Sequence, residues 1–320
     1  MIPRIRFAQL PTPIEAMPRL EEALHGPHLL VKRDDQTGLA FGGNKTRKLE
    51  FLVAEAQAEG ADTLITAGAL QSNHCRQTAA AAAKFGFECI LVLTGEAPAQ
   101  VSANLLLDRL FGAKIIWTEK SRREAALKEI CEITASQGHK PYLVPYGGSN
   151  PTGALGYVFA MEELVGQGVN ADWILFASSS GGTQAGLVVG ARRFCFSGRL
   201  LGISVDEPQG ILQERVAKLA SDTSERLGPH MNISPEEVLV NADHATPGYG
   251  ILTGTEREAI FLFARYEGLL LDPVYTGRAA AGMIDLIRKG FFKKEETILF
   301  WHTGGGPALF AAQYQNDLSL

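Results

Sequence analysis

An α/β fold, with open and mostly parallel sheets carrying helices on both faces, is the prediction for this chain of 320 residues. Three observations carry it. From about Gly60 onward, short β-rich runs alternate with longer helical stretches. The connections between runs are long enough for right-handed βαβ crossovers. Glycine-rich or hydroxyl-rich segments recur where runs end, and parallel sheets bind ligands beyond the carboxyl ends of their strands.

The elements follow in order. A strand over 63–66 leads into a helix over 72–85, and one over 88–93 into a helix near 100–111. A strand over 114–117 precedes a helix near 121–136, and one over 142–144 precedes a helix near 152–165. A second series has strands over 173–177 and 200–205, a helix from Thr183, and a last strand over 297–301. The polar stretch from about Gln209 to Asn241 reads as surface helices and loops. The length exceeds the usual size of one hydrophobic core, so one large unit or two sharing a cleft is expected.

With 30 Lys+Arg against 35 Asp+Glu, the chain has a formal charge of −5. That argues against a nucleic-acid or anionic-membrane partner. Four scattered cysteines, with no CxxC pair and no paired histidine spacing, indicate neither a disulfide framework nor a metal site. No apolar run reaches the length needed to span a bilayer, and prolines at 3, 11, 13 and 18 interrupt the N-terminal segment. A cytoplasmic protein is the expectation. Glycine is the outlier, at 34 residues, a little over a tenth of the chain against an average of roughly 7%. Many turns, or backbone close to a ligand, would explain it.

Four loops concentrate the chemistry. The first is Gly42-Gly43-Asn44-Lys45, opening a helix over 45–58 whose Leu49, Leu52, Val53 and Ala56 fall on one face. Asn44 is its expected N-cap. Lys45 then lies in the first turn, where the macrodipole disfavours a cation and frees the amine. The segment also approaches a P-loop, but Asn44 interrupts the required Gly-Lys-Ser/Thr register. A nucleotide hydrolase is therefore the weaker alternative.

The second loop, Ser178 to Thr183, presents small and hydroxyl residues at a helix start, as a phosphate cup does. A tight turn without a ligand has the same composition. No GxGxxG and no acidic residue at ribose distance support a dinucleotide. Third, Gln71-Ser72-Asn73-His74 opens another helix with Ser72 as the cap candidate, and its N–H groups suit a carboxylate. The fourth, His302-Thr303-Gly304-Gly305-Gly306, ends the last strand with Pro307 at a helix start. Upstream, Leu271-Asp272-Pro273-Val274-Tyr275-Thr276-Gly277 reads as another strand end, and Tyr249 sits in a flexible turn. A nucleophilic lysine, a phosphate cup, a carboxylate-binding helix start and a hydroxyl at a final turn together suit pyridoxal phosphate.

With these blocks in this order, together with Lys32-Arg33-Asp34-Asp35 and Gly147-Gly148-Ser149, the chain resembles the D-cysteine desulfhydrase and 1-aminocyclopropane-1-carboxylate deaminase family nearly end to end. The resemblance implies the tryptophan-synthase-β-like fold (pyridoxal-phosphate fold type II). It also implies a large cofactor-binding domain over 1–47 and 156–320, a small inserted domain over 48–155, and a homodimer. Lys45 would hold the cofactor covalently. Lys48, Ser180, Gly181, Gly182 and Thr183 would hold its phosphate, Asn73 its ring hydroxyl and Thr303 its pyridine nitrogen. Ser72, Asn73 and His74 would seat the carboxylate of a small amino-acid substrate, with Tyr249 and Tyr275 lining the pocket, and Ser72 or Tyr275 assisting Lys45 in proton removal. Deaminases of the family carry Gln at the position of His74 and Glu at that of Thr276. Neutral hydroxyls at Thr276 and Thr303 make a weaker electron sink, which favours β-elimination of thiolate and the desulfhydrase branch.

Overall fold

The computed structural model describes residues 2–246 and 248–319. The elements run β1 (Ile14–Ala16), α1 (Pro18–Leu24), β2 (His28–Lys32), α2 (Asn44–Ala58), β3 (Thr63–Ala69), α3 (Asn73–Phe85), β4 (Glu88–Thr94), α4 (Ala103–Leu110) and β5 (Lys114–Thr118). They continue with α5 (Arg123–Ser136), β6 (Pro141–Leu143), α6 (Pro151–Gly166), β7 (Trp173–Ser178), α7 (Gly182–Arg193), β8 (Arg199–Ser204) and α8 (Gln209–Glu225). Last come β9 (Leu239–Asn241), α9 (Gly254–Glu267), α10 (Thr276–Arg288), β10 (Thr297–Trp301) and α11 (Ala312–Leu318).

Two sheets result. One has the order β1-β2-β10-β7-β8-β9 and the other β5-β4-β3-β6. All pairings are parallel except β1 with β2. The last strand is thus inserted at the centre of the larger sheet, with Leu299 opposite Leu30 on one side and Ile174 on the other. Its residues Ile298 to Trp301 are fully buried, as a central parallel strand covered on both faces requires. Helices α9 and α10 pack on one face of this sheet, and α6 and α7 on the other. The carboxyl ends of β2, β10, β7 and β8 therefore open on the same side, which positions the site.

The regular alternation begins earlier than the sequence indicated, because β1 and β2 precede Gly60. The stretch from Gln209 to Asn241 is less superficial than expected. Helix α8 buries Leu212, Val216, Ala217 and Ala220, and β9 adds an edge strand on β8. No strand leads into Asp272; the chain there is irregular up to α10. Asn44 is not a cap: Gly43 occupies the N-cap position and Asn44 is the first residue of α2.

Beneath the start of α2 lies a network of four charges, three of them buried and the fourth, Glu163, partly so. Arg47 donates to Asp34 through Nε and Nη2, both at 2.8 Å, and to Glu163 through Nη1 and Nη2 at 3.0 and 2.9 Å. Lys32 Nζ donates to Glu163 at 2.6 Å, and Tyr157 Oη to Asp34 at 2.6 Å. Burial works to raise the Asp34 carboxyl, but Arg47 outweighs it and holds the group below its ordinary value. The network joins β2, α2 and α6. Helices α2 and α6 also meet at Gly156, where a Cβ would lie 2.5 Å from the Arg47 carbonyl oxygen, so the backbones touch.

Removing one partner of such a pair leaves a buried, uncompensated charge. Asp34→Ala is expected to lower unfolding free energy by about 3–5 kcal/mol, read from urea unfolding. Because Asp34 and Glu163 both have depressed folded values, their contribution in the native chain is complete above about pH 5 and lost as pH falls through those values.

Candidate active site

Lys45 and Thr303 come together because the α2 start is bonded to the turn after β10. Asn44 N donates to Thr303 O at 2.9 Å, and Gly43 N to Asp34 O at 2.9 Å. A Cβ on Gly304 would fall 2.6 Å from Gly43 Cα, so only glycine permits this approach. The cleft formed here is lined by Lys45, Asn73, Ser180, Gly181, Thr183, Tyr275 and Thr303. These residues come from five separate segments, and all were expected at the site. No carboxylate and no histidine side chain lines it among the described residues.

The Lys45 amine is pushed down to about 8, and burial is the cause. Three residues on, Lys48 is lowered further, by burial and by the charge of Lys45. Lys48 does not face the cleft. It stands behind it, with Nζ on Gly147 O at 3.1 Å and on Ser149 Oγ at 3.3 Å.

The cup at the start of α7 is built from hydroxyls. Gly181 holds the N-cap position at φ +87° and no side chain caps the helix, so its positive end faces the cleft. Ser149 Oγ accepts from Lys48 and from Gly182 N, the latter at 3.2 Å, and lies 2.8 Å from Ser180 Oγ. Ser149 Oγ also has Gly147 O at 3.4 Å, so either serine can donate to the other. Asn44 Nδ2 donates to Thr183 Oγ1 at 3.0 Å, which leaves the threonine proton available. Sequence reasoning gave Ser149 no separate role and took Asn44 for a backbone cap. Both act through side-chain partners more than a hundred or some thirty residues away, for which spacing carries no signal.

Tyr275 faces the cleft, and its hydroxyl lies 2.8 Å from that of Tyr249, which lines the adjoining outer cavity. Burial pushes both phenols well above 10, so they remain protonated donors. The Tyr249 turn is braced rather than free, since Arg278 donates to Gly248 O at 2.8 Å and Ile251 O at 2.7 Å.

Three expected residues lie elsewhere. Ser72 Oγ caps α3, accepting from Cys75 N at 3.2 Å. His74 is buried, with Nε2 2.9 Å from Thr66 Oγ1, and that hydroxyl gives its proton to Val144 O at 2.8 Å. With that proton on Val144, Nε2 acts as the donor to Thr66. Burial and the two nearby lysines hold the imidazole well below 6.5, so His74 is not placed to donate to a substrate carboxylate. Thr276 does not reach the cleft either. Its hydroxyl accepts from Asp272 N and donates to Asp272 Oδ1, both at 2.8 Å. Asp272 in turn caps α10, taking the N–H groups of Val274, Tyr275 and Thr276.

Comparison with known proteins follows from this geometry. The family described as pyridoxal-phosphate dependent enzyme matches residues 5–304. The solved structure of an ACC deaminase homologue is 38% identical, with 99% of this chain and 95% of that one covered and a TM-score of 0.91. A fungal L-serine ammonia-lyase from Rhizomucor miehei, 16% identical with 96% of each chain covered, has a TM-score of 0.69. Isoform 2 of threonine deaminase from Solanum lycopersicum, 15% identical with 96% and 82% covered, has a TM-score of 0.66. These likenesses set the fold as tryptophan-synthase-β-like, the pyridoxal-phosphate fold type II.

The cleft fits that cofactor. It offers an amine of lowered basicity for the aldehyde, an uncapped helix start for the phosphate, and uncharged walls that include Asn73 and Gly304 for a flat ring. Since only the free amine attacks an aldehyde, reconstitution of the apoprotein with pyridoxal phosphate is expected to accelerate about tenfold per pH unit below 8 and to level off above it. Stopped-flow absorbance checks this; a rise continuing to pH 10 would show an ordinary lysine.

Proposed function

The chain belongs to the pyridoxal-phosphate dependent enzyme family, and on that premise we propose that it is a lyase removing the β-substituent of a small amino acid, D-cysteine to pyruvate, ammonia and hydrogen sulfide. The observation that carries the reading is the absence of any carboxylate among the described residues lining the cleft. With Thr303 toward the pyridine nitrogen, a neutral hydroxyl leaves that nitrogen's proton without a charged partner. Such a site suits departure of thiolate, a good leaving group, better than a reaction that needs a long-lived carbanion.

Bound pyridoxal phosphate supplies an electron sink conjugated to the substrate α-carbon. The chain supplies the rest. Lys45 Nζ would hold the cofactor and, once free, would take the substrate α-proton as the Cβ–S bond breaks and its electron pair leaves on sulfur. Ser180, Gly181, Gly182 and Thr183 hold the phosphate, with Lys48 behind them through Ser149. Asn73 meets the ring oxygen, and Ser72 and Asn73 bring the α3 start to the substrate carboxylate. Tyr275 and Tyr249, both protonated, donate a proton to the departing sulfur rather than acting as bases. The unsaturated product left in the cleft hydrolyses to pyruvate and ammonia.

The likeness to an ACC deaminase homologue favours a second reading, ring opening of 1-aminocyclopropane-1-carboxylate, and L-cysteate is a further β-eliminable substrate of the same scaffold. Assay of keto-acid release from these compounds and both cysteine enantiomers separates them. Pyruvate from D-cysteine is expected, and 2-oxobutanoate from the cyclopropane amino acid as the main product would replace the first reading by the second. Lys45→Ala is expected to lower kcat at least about a hundredfold with the fold intact by circular dichroism. Tyr275→Phe should cost about tenfold or more in kcat with little change in KM.

A further inference from the structure

The Asn73 amide has two ends of nearly equal shape, so which end meets a bound ring depends on the partners behind it. Asn73 Oδ1 accepts from Arg76 Nη1 at 3.1 Å and from Asn104 Nδ2 at 2.9 Å. Asn104 is fixed in its turn. Its Oδ1 accepts from the same Arg76 nitrogen at 2.8 Å, and its remaining amide proton goes to Gln71 O at 2.9 Å. Both Arg76 and Asn104 are fully buried.

A guanidinium donates only. Arg76 therefore requires oxygen, not nitrogen, from both amides, and Asn104 with its oxygen so committed must turn its NH2 to Asn73. Reversing either amide would set donor against donor in a dry interior. Asn73 Nδ2 is left on the other side, toward Gly305, where a Cβ would stand 2.8 Å from it. The second Arg76 nitrogen donates to Gly42 O at 2.9 Å, three residues before Lys45. One buried arginine thus ties the turn that bears the lysine to the amide that faces the ring.

We propose that Arg76 and Asn104 are positioning residues that fix the polarity of the Asn73 amide, so that it presents an N–H donor to the ring oxygen of the cofactor and keeps that oxygen anionic. The inference rests on the reading that Asn73 lies against that oxygen.

Asn104→Asp separates this role from a merely structural one. The new carboxylate keeps Arg76 paired, but it sets an acceptor against Gln71 O and against Asn73 Oδ1, and the latter drives the Asn73 amide to reverse. The absorption band of the bound cofactor, its pH midpoint and the affinity of the apoprotein for pyridoxal phosphate are measured for Asn104→Asp, Asn73→Ala and the double variant, with melting temperatures to establish folding. Asn104→Asp is expected to move the visible band to shorter wavelength and weaken binding about tenfold. The double variant should be no worse than Asn73→Ala alone. If Asn73→Ala moves the band and Asn104→Asp does not, or if the two effects add, the positioning role is wrong. If Asn73→Ala leaves the band unchanged, the placement of Asn73 at the ring oxygen is what fails. Should Asn104→Asp not fold, Asn104→Ala is expected to give a smaller shift in the same direction, and no shift overturns the proposal.

Discussion

The Arg47 guanidinium, held by Asp34 and Glu163, is the constraint on which the rest of the structure hangs. Buried ion pairs are weak evidence of net stability, because desolvation offsets much of the attraction, but their geometry is demanding. Here that geometry fixes three elements at once: β2 through Lys32 and Asp34 just beyond it, α2 through Arg47, and α6 through Glu163 and Tyr157. Lys45 lies two residues before Arg47, on the opposite side of the same helical turn. Anchoring Arg47 inward therefore obliges Lys45 to face the cleft. The loop from Asp34 to Gly43 is drawn down by the same carboxylate, and Gly43 bonds to its backbone.

From that fixed lysine the other walls follow through hydrogen bonds made by the residues just before it. Asn44 N on Thr303 O seats the end of β10, Arg76 on Gly42 O seats α3, and Asn44 Nδ2 on Thr183 seats α7. Among the described residues, Lys45 is the one charged side chain that lines the cleft. The result is a narrow space whose polar surface consists of hydroxyls, amides and helix ends. Such a lining can hold a phosphate and orient a ring while leaving proton movement to one amine.

Much of this was legible in the sequence because it is local. Strand-to-helix alternation, the glycine pairs that mark close backbone approach, and the hydroxyl run before α7 are all contiguous patterns. What could not be read is pairing across distance. Strands β1 and β9 have three residues each, too few for a period to register, and they are strands only because β2 and β8 offer an edge. Thr276 looked like a cleft residue by its place in a motif, yet Asp272 claims both its hydroxyl and its N–H. Arg76, in an alanine-rich helix, gave no sign that its partners would be Asn73 and Asn104. The His74 tautomer follows from a Thr66 proton committed to Val144, a fact no linear motif contains.

The lowered basicity of Lys45 was expected from its place in the first turn of α2, and here the size of the effect corrects the cause. A drop from 10.5 to about 8 corresponds to about 3.4 kcal/mol. An unfavourable charge at a helix start accounts for roughly 0.3–1 kcal/mol, less than a third of what is needed. Burial supplies the remainder, so the reactivity of the amine belongs to the packing of the cleft walls and not to the helix that carries it. Chemistry and fold are coupled at this point. The Arg47 network and the Gly43–Gly304 contact hold in place the walls that bury the lysine. Anything that loosens them admits water, returns the amine toward an ordinary lysine, and removes the free base on which covalent attachment at neutral pH depends.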